Sequence, residues 1–362
     1  MRNKVWMHAL ILALIVVMCA ATALAEGTIN VTSPESAGTP SDVARTSENA
    51  LGNVDELSHA LGLTEEEREL LMELDPSEEV HIEDGDLSIS TELGDGWRNI
   101  LLMGNDSRSL DDNGRTDTMI IASINQQTGE VKLTSIMRDT VVRIPGKSKK
   151  NKINAAYRYG GPNLAMKTVN EAFDMNIKEY AVVNLAGFAE IIDAVGGLDL
   201  DITRDEMLHV NNIMGYYEKD AKKNGLAEGK DFTKLDEYGE NTHLNGQQAL
   251  AYSRIRKLDT DDRRTERQRT VLTALGRKLA DMSAGDLMST SLKLWGNIRT
   301  NIGFFDAMQL GLKAASALSD EGLKQFRIPD KGTYKSGTFD GRWEIHADLD
   351  KNARRLHEFI YE

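Results

Sequence analysis

The chain has 362 residues, of which 40% are hydrophobic, and a formal net charge of −14. This length can bury a sizeable core in one large domain or two ordinary ones. The acidity is local, because residues 26–98 hold 19 acidic and three basic side chains whereas residues 99–362 hold 38 of each. A neutral body lacks the wide basic surface of nucleic-acid-binding proteins, so we exclude nucleic acid as a partner.

The N-terminus has an export pattern. Residues 1–25 combine a basic start with an apolar run from Trp6 to Leu24, and small residues stand at Ala23 and Ala25. The run also has the roughly 20 residues that a membrane-spanning helix needs. Both a cleaved signal peptide and a membrane anchor are therefore open. The only cysteine, Cys19, lies in this run, so the exported body forms no internal disulfide.

Residues 26–98 are predicted to be an acidic, mostly flexible linker, with one short helix at residues 63–74. The body at residues 99–362 is predicted to begin with a buried strand at residues 99–103 that leads into a polar loop. Two more strands follow at residues 119–124 and 131–137, joined by a turn. Arginine and aspartate occur together near these strand ends, where sites often lie: Asp106 with Arg108, Arg115 with Asp117, and Arg138 with Asp139. Structural ion pairs are the alternative explanation.

The middle of the chain alternates strands and helices. Helices are predicted at residues 162–174 and 185–195, and strands at residues 180–184 and 198–202. This order predicts a sheet with helices packed on it and a right-handed crossover. The polar residues 204–242 are predicted to form a long flexible insertion beside the site.

A basic stretch follows. Residues 254–269 hold seven basic and four acidic side chains. A short helix at residues 245–252 is predicted to lead into an extended strand, with Arg254 and Arg256 on one side and Ile255 facing the core. A helix is predicted from Thr265 onward, and its N-terminus would attract an anion. Guanidinium groups match phosphate oxygens, although a solvated charged helix is the alternative interpretation.

Later helices are predicted at residues 287–295 and 304–318, then strand-like segments near Phe326 and Trp343, and a last helix at residues 348–361. The sequence contains no HExxH or GxSxG motif, no cysteine nucleophile in the body and no glycine-rich phosphate loop. Aspartates and arginines remain as the chemical groups. They suit Mg²⁺ and a phosphoryl transfer that depends on positioning.

Seven motifs together resemble, in order and spacing, the LytR-CpsA-Psr family of cell-wall glycopolymer ligases over residues 99–279. They are GNDSR, RTDTMIIASI, SIMRDTVVRIPG, NKINAAYRYGG, VVNLAGFAEIIDAVGGLDL, LNGQQALAYSRIRK and DDRRTERQR. The resemblance implies a three-layer α/β/α domain with a central mixed β-sheet flanked by helices. It also implies an extracytoplasmic enzyme at the membrane surface. Such an enzyme moves a glycopolymer from an undecaprenyl-pyrophosphate carrier to the muramic acid 6-hydroxyl of peptidoglycan, with Mg²⁺.

The resemblance also assigns site residues. It places Asp106 and Asp117 at metal-linked positions and includes them, with Arg138, in the catalytic set. It assigns pyrophosphate binding to arginines and one glutamine: Arg108, Arg115, Arg138, Arg254, Arg256, Arg264 and Gln268. Arg267 and Asp139 match motif positions with a smaller direct role. The chain departs from the family pattern at Asn105, Asp262 and Arg263.

The polyprenyl tail of the carrier is expected in an apolar pocket between sheet and helices, lined by Val169, Phe173, Phe188, Ile191 and Leu275. Ordinary core packing explains the same spacing. Two other functions stay open: a Mg²⁺-dependent polyprenyl-pyrophosphate phosphatase, and a non-catalytic envelope regulator that binds polyprenyl phosphates. The polymer itself, whether teichoic acid, capsule polysaccharide or another glycan, is not specified by these motifs, and neither is the oligomeric state.

Overall fold

The structure is a computed structural model. It describes residues 62–73, 87–91, 93, 96–105, 114–223, 225, 231–255, 284–304 and 324–362, together with residues 267, 270, 271, 274, 275, 278, 282, 306, 307 and 310. Residues 1–61, and with them the predicted signal peptide or anchor, lie outside the described residues. Within the described part of the chain, no helix is long and apolar enough to span a membrane.

The strands are β1 (Trp97–Asn105), β2 (Thr116–Asn125), β3 (Val131–Ile136), β4 (Val141–Val142), β5 (Asn151–Lys152), β6 (Glu179–Asn184), β7 (Leu198–Ile202), β8 (Gly239–Leu244), β9 (Ile298–Thr300), β10 (Lys324–Ile328), β11 (Tyr334–Phe339) and β12 (Arg342–Ala347). Six of them form the central sheet in the order β10-β3-β2-β1-β6-β9. β1 runs antiparallel to β2 and parallel to β6. The predicted mixed sheet is therefore confirmed.

The helices are α1 (Glu65–Glu73), α2 (Ala155–Phe173), α3 (Leu185–Ala194), α4 (Arg204–Lys223), α5 (Gly246–Ser253), α6 (Ala284–Trp295) and α7 (Leu349–Tyr361). The described residues between 267 and 278 are also helical. Side chains alternate across β1, so Ile100 and Leu102 pack in one core cluster and Leu101 and Met103 in another. The first cluster contains residues of α3, α4 and α5, and the second contains residues of α2 and α7. This is the expected α/β/α arrangement.

The flexible insertion predicted at residues 204–242 is wrong. α4 occupies its first half and buries Val210, Met214 and Ala221, which lie on one face of the helix. β8 begins at Gly239 and pairs with β7. The many polar residues obscured the widely spaced apolar positions that pack the helix onto the core.

The crossover predicted from the strand-helix-strand order is also wrong in its last strand. β7 does not join the central sheet but forms a separate two-stranded sheet with β8. The burial pattern of β7 alternates strictly, with Asp199 and Asp201 exposed. Such alternation is typical of a strand with one solvated face, whereas the central strand β1 is buried on both faces.

The helix predicted from Pro162 is confirmed, although α2 begins about two turns earlier, at Ala155. Gly160 and Gly161 interrupt it with non-helical backbone angles, and Gly161 has a φ of 65°. Glycine adopts this left-handed conformation without a Cβ clash. The chain therefore forms a first turn from Ala155 and then restarts as a helix at Pro162, which needs no N–H donor in a first turn.

Described residues on the N-terminal side of the predicted domain boundary contact the body. α1 confirms the short helix predicted at residues 63–74, and its Glu67 pairs with Lys293 of α6 at 2.9 Å. Leu87 is fully buried in the core. The boundary at residue 99 stays a prediction, but α1 and Leu87 pack with the domain that follows it.

Candidate active site

The strands bring Arg115, Asp117 and Arg138 to one end of the central sheet. β1 and β6 are parallel and both end there, with Asn105 paired to Asn184. β2 runs the other way and begins there, with Thr116 opposite Asn105. β3 is antiparallel to β2 and therefore ends there, two residues before Arg138.

The strand register has an irregularity at Asp117. Gly104 pairs with Thr118 and Asn105 pairs with Thr116, so Asp117 is the extra residue of a β-bulge in β2. Bulges are common next to active sites, where they change the direction of a side chain. Asp106 follows Asn105 directly in the chain but, with Arg108, lies outside the described residues. Of the two predicted metal-linked aspartates, the strand register therefore brings Asp117 to this end of the sheet.

Arg138 and Asp139 lie in a loop that hydrogen bonds hold in place. The Asp139 carboxylate accepts a hydrogen bond from Lys152 Nζ at 2.8 Å and lies 3.7 Å from Arg138 Nε. The Asn154 N–H donates to the Arg138 carbonyl oxygen at 3.3 Å, and the Thr116 N–H donates to the Asn154 carbonyl oxygen at 3.4 Å. These bonds hold Arg138 beside the start of β2. Arg115 precedes β2 and is exposed.

Arg299 and Tyr157 are further residues at this sheet end that are not among the predicted site residues. Arg299 lies on β9 opposite Val182 of β6. Burial raises the pKa of the Tyr157 phenol above its usual range, and the nearby side chains of Arg299 and Asn105 offset part of that rise. The sequence pattern predicts no strand at residues 298–300, where β9 lies. Tyr157 stands in the NKINAAYRYGG motif, which was the signal that pointed to it.

Arg254 differs from its predicted setting. α5 begins at a capping box formed by Asn245 and Gln248, and Arg254 is the C-cap residue with φ −105° and ψ 3°. Arg254 therefore follows the end of a helix and does not lie on the predicted extended strand. The helix predicted to end at residue 252 continues to Ser253. Its guanidinium lies 5.8 Å from the centroid of the Tyr217 ring. Ile255 is fully buried, as predicted.

Three predicted phosphate-binding residues, Arg256, Arg264 and Gln268, lie outside the described residues. Their neighbour Arg267 is described and buried, with 4% of its side chain exposed. It donates to Glu206 on α4 at 2.8 Å and to the Ile255 carbonyl oxygen at 3.4 Å. These contacts fit the smaller direct role predicted for Arg267, since they assign it to anchoring the basic segment.

The five residues predicted to line one apolar pocket do not share a cluster. Val169 and Phe173 pack on one face of the sheet, with α2 and α7. Phe188, Ile191 and Leu275 pack on the other face, with α3 and α5. Because the central sheet separates the two faces, one pocket cannot contain all five side chains. Helical spacing identified buried faces but not the side of the sheet to which each face belongs.

The residues at the sheet end have the chemistry that Mg²⁺ prefers. That ion takes oxygen ligands and needs only one or two protein carboxylates, with water and phosphate completing its shell. Asp117 stands at the bulge of β2, and the sequence predicts that Asp106 supplies the second carboxylate. Asp139 is less suited, because Lys152 occupies its carboxylate. Among the described residues, no group of three or more His, Cys, Asp or Glu side chains forms a metal cluster.

An α/β/α domain with arginines and aspartates gathered where parallel strands end defines an oxyanion-binding protein of the phosphoryl-transfer type. The LytR_cpsA_psr family model matches residues 63–354. The chain belongs to this family, as its motifs predicted.

Curated relatives and solved structures agree with that assignment. The chain is 36% identical over 257 residues to the polyisoprenyl-teichoic acid–peptidoglycan teichoic acid transferase TagU of Bacillus mycoides (strain KBAB4), a match that covers 68% of this chain and 73% of TagU. It is 33% identical over 239 residues to the Enterococcus faecalis (strain ATCC 700802 / V583) protein of the same name, covering 65% and 69%. The crystal structure of B. subtilis TagV aligns with a TM-score of 0.51 and 26% identity, covering 74% of this chain and 98% of TagV.

Proposed function

We propose that this protein is an enzyme that transfers a glycopolymer from a polyprenyl-pyrophosphate carrier to peptidoglycan. The observation that carries the proposal is its 36% identity to a TagU transferase over most of both chains. The sheet-end geometry supports it, because Arg115, Arg138 and the Asp117 bulge meet at a single edge. Teichoic acid is the proposed polymer, since it is the substrate in the names of these relatives.

In the proposed reaction, a hydroxyl of peptidoglycan, the muramic acid 6-hydroxyl, attacks the glycan-side phosphorus of the carrier. A new O–P bond forms, the bond between that phosphorus and the bridging oxygen breaks, and undecaprenyl phosphate leaves. The hydroxyl proton passes to an aspartate, Asp106 or Asp117, or to the leaving phosphate. The basic residues at the sheet end neutralise the charge that develops on the phosphate oxygens.

The described arginines that we propose to bind the pyrophosphate are Arg115, Arg138 and Arg254. The proposed set also includes Arg108, Arg256, Arg264 and Gln268. Asp106 and Asp117 would hold Mg²⁺, which supplies charge neutralisation at the pyrophosphate when bound. Lys152 keeps Asp139 paired, so that carboxylate is not proposed as the base. The chain's own contribution is to orient the carrier and to exclude alternative geometries of attack.

The proposed location is the outer face of the cell membrane. The basic start and apolar run of residues 1–25 support it as an export signal or anchor. A polyprenyl carrier also confines the reaction to the membrane surface.

A reconstituted ligation assay tests the function. The full chain is incubated with lipid-linked teichoic acid precursor and peptidoglycan oligomers, and products are identified by mass spectrometry. Transfer predicts glycan joined to peptidoglycan through a phosphodiester. Released glycan phosphate without conjugate would instead favour the phosphatase, and bound lipid without any product would favour the regulator.

The metal is tested separately from turnover. Binding of farnesyl pyrophosphate is measured by calorimetry with Mg²⁺ and with EDTA, in the wild type and in Asp117→Asn. The proposal predicts that Mg²⁺ strengthens binding to the wild type and that the variant loses most of this gain. Equal binding with and without Mg²⁺ would contradict the metal assignment.

A further inference from the structure

Among the buried polar atoms without a hydrogen-bond partner in the described structure, two come from the start of α2. They are Asn154 Oδ1 and the Tyr157 hydroxyl. Asn154 is 5% exposed and Tyr157 is fully buried. Leaving such groups unsatisfied costs stability, so buried polar atoms are nearly always paired.

Asn154 does not perform the usual structural task of its position. It is the N-cap residue of α2, where asparagine normally accepts a hydrogen bond from the helix backbone. Here its side chain makes no cap hydrogen bond, and its backbone angles, φ −66° and ψ −13°, are already helical. Among the described residues, the hydrogen bonds of Asn154 are made by its backbone, whose N–H donates to Arg138 and whose carbonyl oxygen accepts from Thr116. The side-chain amide oxygen is therefore held at the site without a structural partner.

Tyr157 lies in the core cluster that contains Met103 and Val182. Met103 is two residues before Asn105 on β1, and Val182 is the register partner of Arg299. Asn105 and Arg299 are near the phenol, but neither makes a hydrogen bond of normal geometry to its oxygen. The hydroxyl thus lies beside the strand end that leads into Asp106.

We infer that Tyr157 and Asn154 form the α2 side of the substrate site, beyond the arginines and aspartates already assigned. The Tyr157 hydroxyl donates a hydrogen bond to a phosphate oxygen of the carrier. The Asn154 amide oxygen can only accept, so it cannot bind phosphate oxygens, and it accepts instead from an attacking O–H group, either the acceptor hydroxyl or water. This inference rests on the proposed function and extends it by two residues.

Two variants separate this role from a structural one. For Tyr157→Phe, we expect binding of farnesyl pyrophosphate, measured by calorimetry, to weaken about tenfold, as for loss of a hydrogen bond to a charged group. For Asn154→Ala, we expect unchanged farnesyl pyrophosphate binding and a kcat for transfer lower by about tenfold. Comparing conjugate with hydrolysed product shows whether the sugar hydroxyl or water is the group that Asn154 orients.

Thermal unfolding gives the readout that a structural role would move. We expect Tyr157→Phe and Asn154→Ala to melt at or above the wild-type temperature, because each removes an unsatisfied buried polar atom. The matched control is Thr134→Val, since Thr134 Oγ1 is also buried and unpartnered but lies inside β3. This control is expected to melt no lower and to bind and turn over as the wild type does.

The outcomes distinguish the two levels of the proposal. If the wild type fails to bind farnesyl pyrophosphate, the proposed function fails and this inference fails with it. If the wild type binds but Tyr157→Phe and Asn154→Ala bind and transfer equally well, this inference alone is overturned. Lower melting temperatures for both variants, with wild-type kinetics, would assign the two side chains to the fold.

Discussion

Arg267 and Glu206 form a largely buried ion pair, with Arg267 Nε 2.8 Å from Glu206 Oε1. The other carboxylate oxygen of Glu206 accepts from the backbone N–H and hydroxyl of Thr203 at the start of α4. Arg267 also contacts the Ile255 carbonyl oxygen. Ile255 and Arg267 flank residues 256–266, so the pair ties α4 to both ends of the segment that carries Arg256 and Arg264.

Removing one member of this pair should destabilise the fold strongly. We expect Arg267→Ala to lower the free energy of unfolding by about 3–5 kcal/mol, because it leaves the Glu206 carboxylate partly buried without its cation. Urea denaturation measures this loss. The control is Lys222→Ala, which breaks an exposed pair with Glu218 and should change the stability little, because exposed pairs are screened by solvent. Equal effects of the two substitutions would contradict the anchoring role.

Arg138 should matter for activity more than for stability. Its guanidinium is at the sheet end, and removing one preorganised charge-stabilising group typically lowers kcat by about 10²-fold or more. We expect that loss for Arg138→Ala in the ligation assay, with a normal far-UV circular dichroism spectrum. Arg354→Ala is the matched control, because Arg354 is an exposed arginine on α7. Full activity of Arg138→Ala would remove Arg138 from the site.

Most of the central sheet could be predicted from the sequence because its strands are apolar runs bounded by polar loops. β1 and β3 are buried at nearly every position, and such runs give a strong signal. β9 was missed because its three residues, Ile298 to Thr300, are all only partly buried. α4 was missed because its buried positions are few and its surface is highly charged.

The sequence predicts which residue types form the candidate site, but not how they are arranged in three dimensions. The motifs brought Arg115, Asp117 and Arg138 together, and the strand register agrees. No local pattern could reveal that Arg299 approaches Tyr157, since 142 positions separate them in the numbering. Nor could it reveal which side of the sheet Val169 faces, because that depends on how α2 packs and not on helical spacing.

The contact between α3 and α5 depends on Gly246. A Cβ built on this residue would lie 1.9 Å from the Ala189 carbonyl oxygen, a backbone atom that cannot rotate away. We expect Gly246→Ala to cost about 1–3 kcal/mol, as overpacking does. Gly215→Ala is the control, because a Cβ on that α4 residue meets nothing within 4 Å and alanine should stabilise a helix interior by about 0.5–1 kcal/mol. Opposite signs in urea denaturation would confirm the close approach, and two stabilising substitutions would contradict it.

Glu67 should make the docking of α1 on α6 dependent on pH. Hydrogen bonds from the Ser289 hydroxyl and the Thr64 backbone, together with Lys293, lower the pKa of Glu67 from 4.5 to about 2. A lowered pKa means that the folded state favours the carboxylate. Its stabilising contribution is therefore complete above about pH 4.5 and is lost as the pH falls toward about 2.

We therefore expect Glu67→Gln to lower the free energy of unfolding by about 1.5–3 kcal/mol at neutral pH, the usual range for hydrogen bonds to a charged group. The gap from the wild type should shrink steadily as urea denaturation is repeated at lower pH between those two pKa values. Glu66→Gln, which changes an exposed carboxylate in the same turn of α1, should change stability by only a few tenths of a kcal/mol. A gap for Glu67→Gln that is the same at neutral and acidic pH would show that the ionised carboxylate does not hold α1 in place.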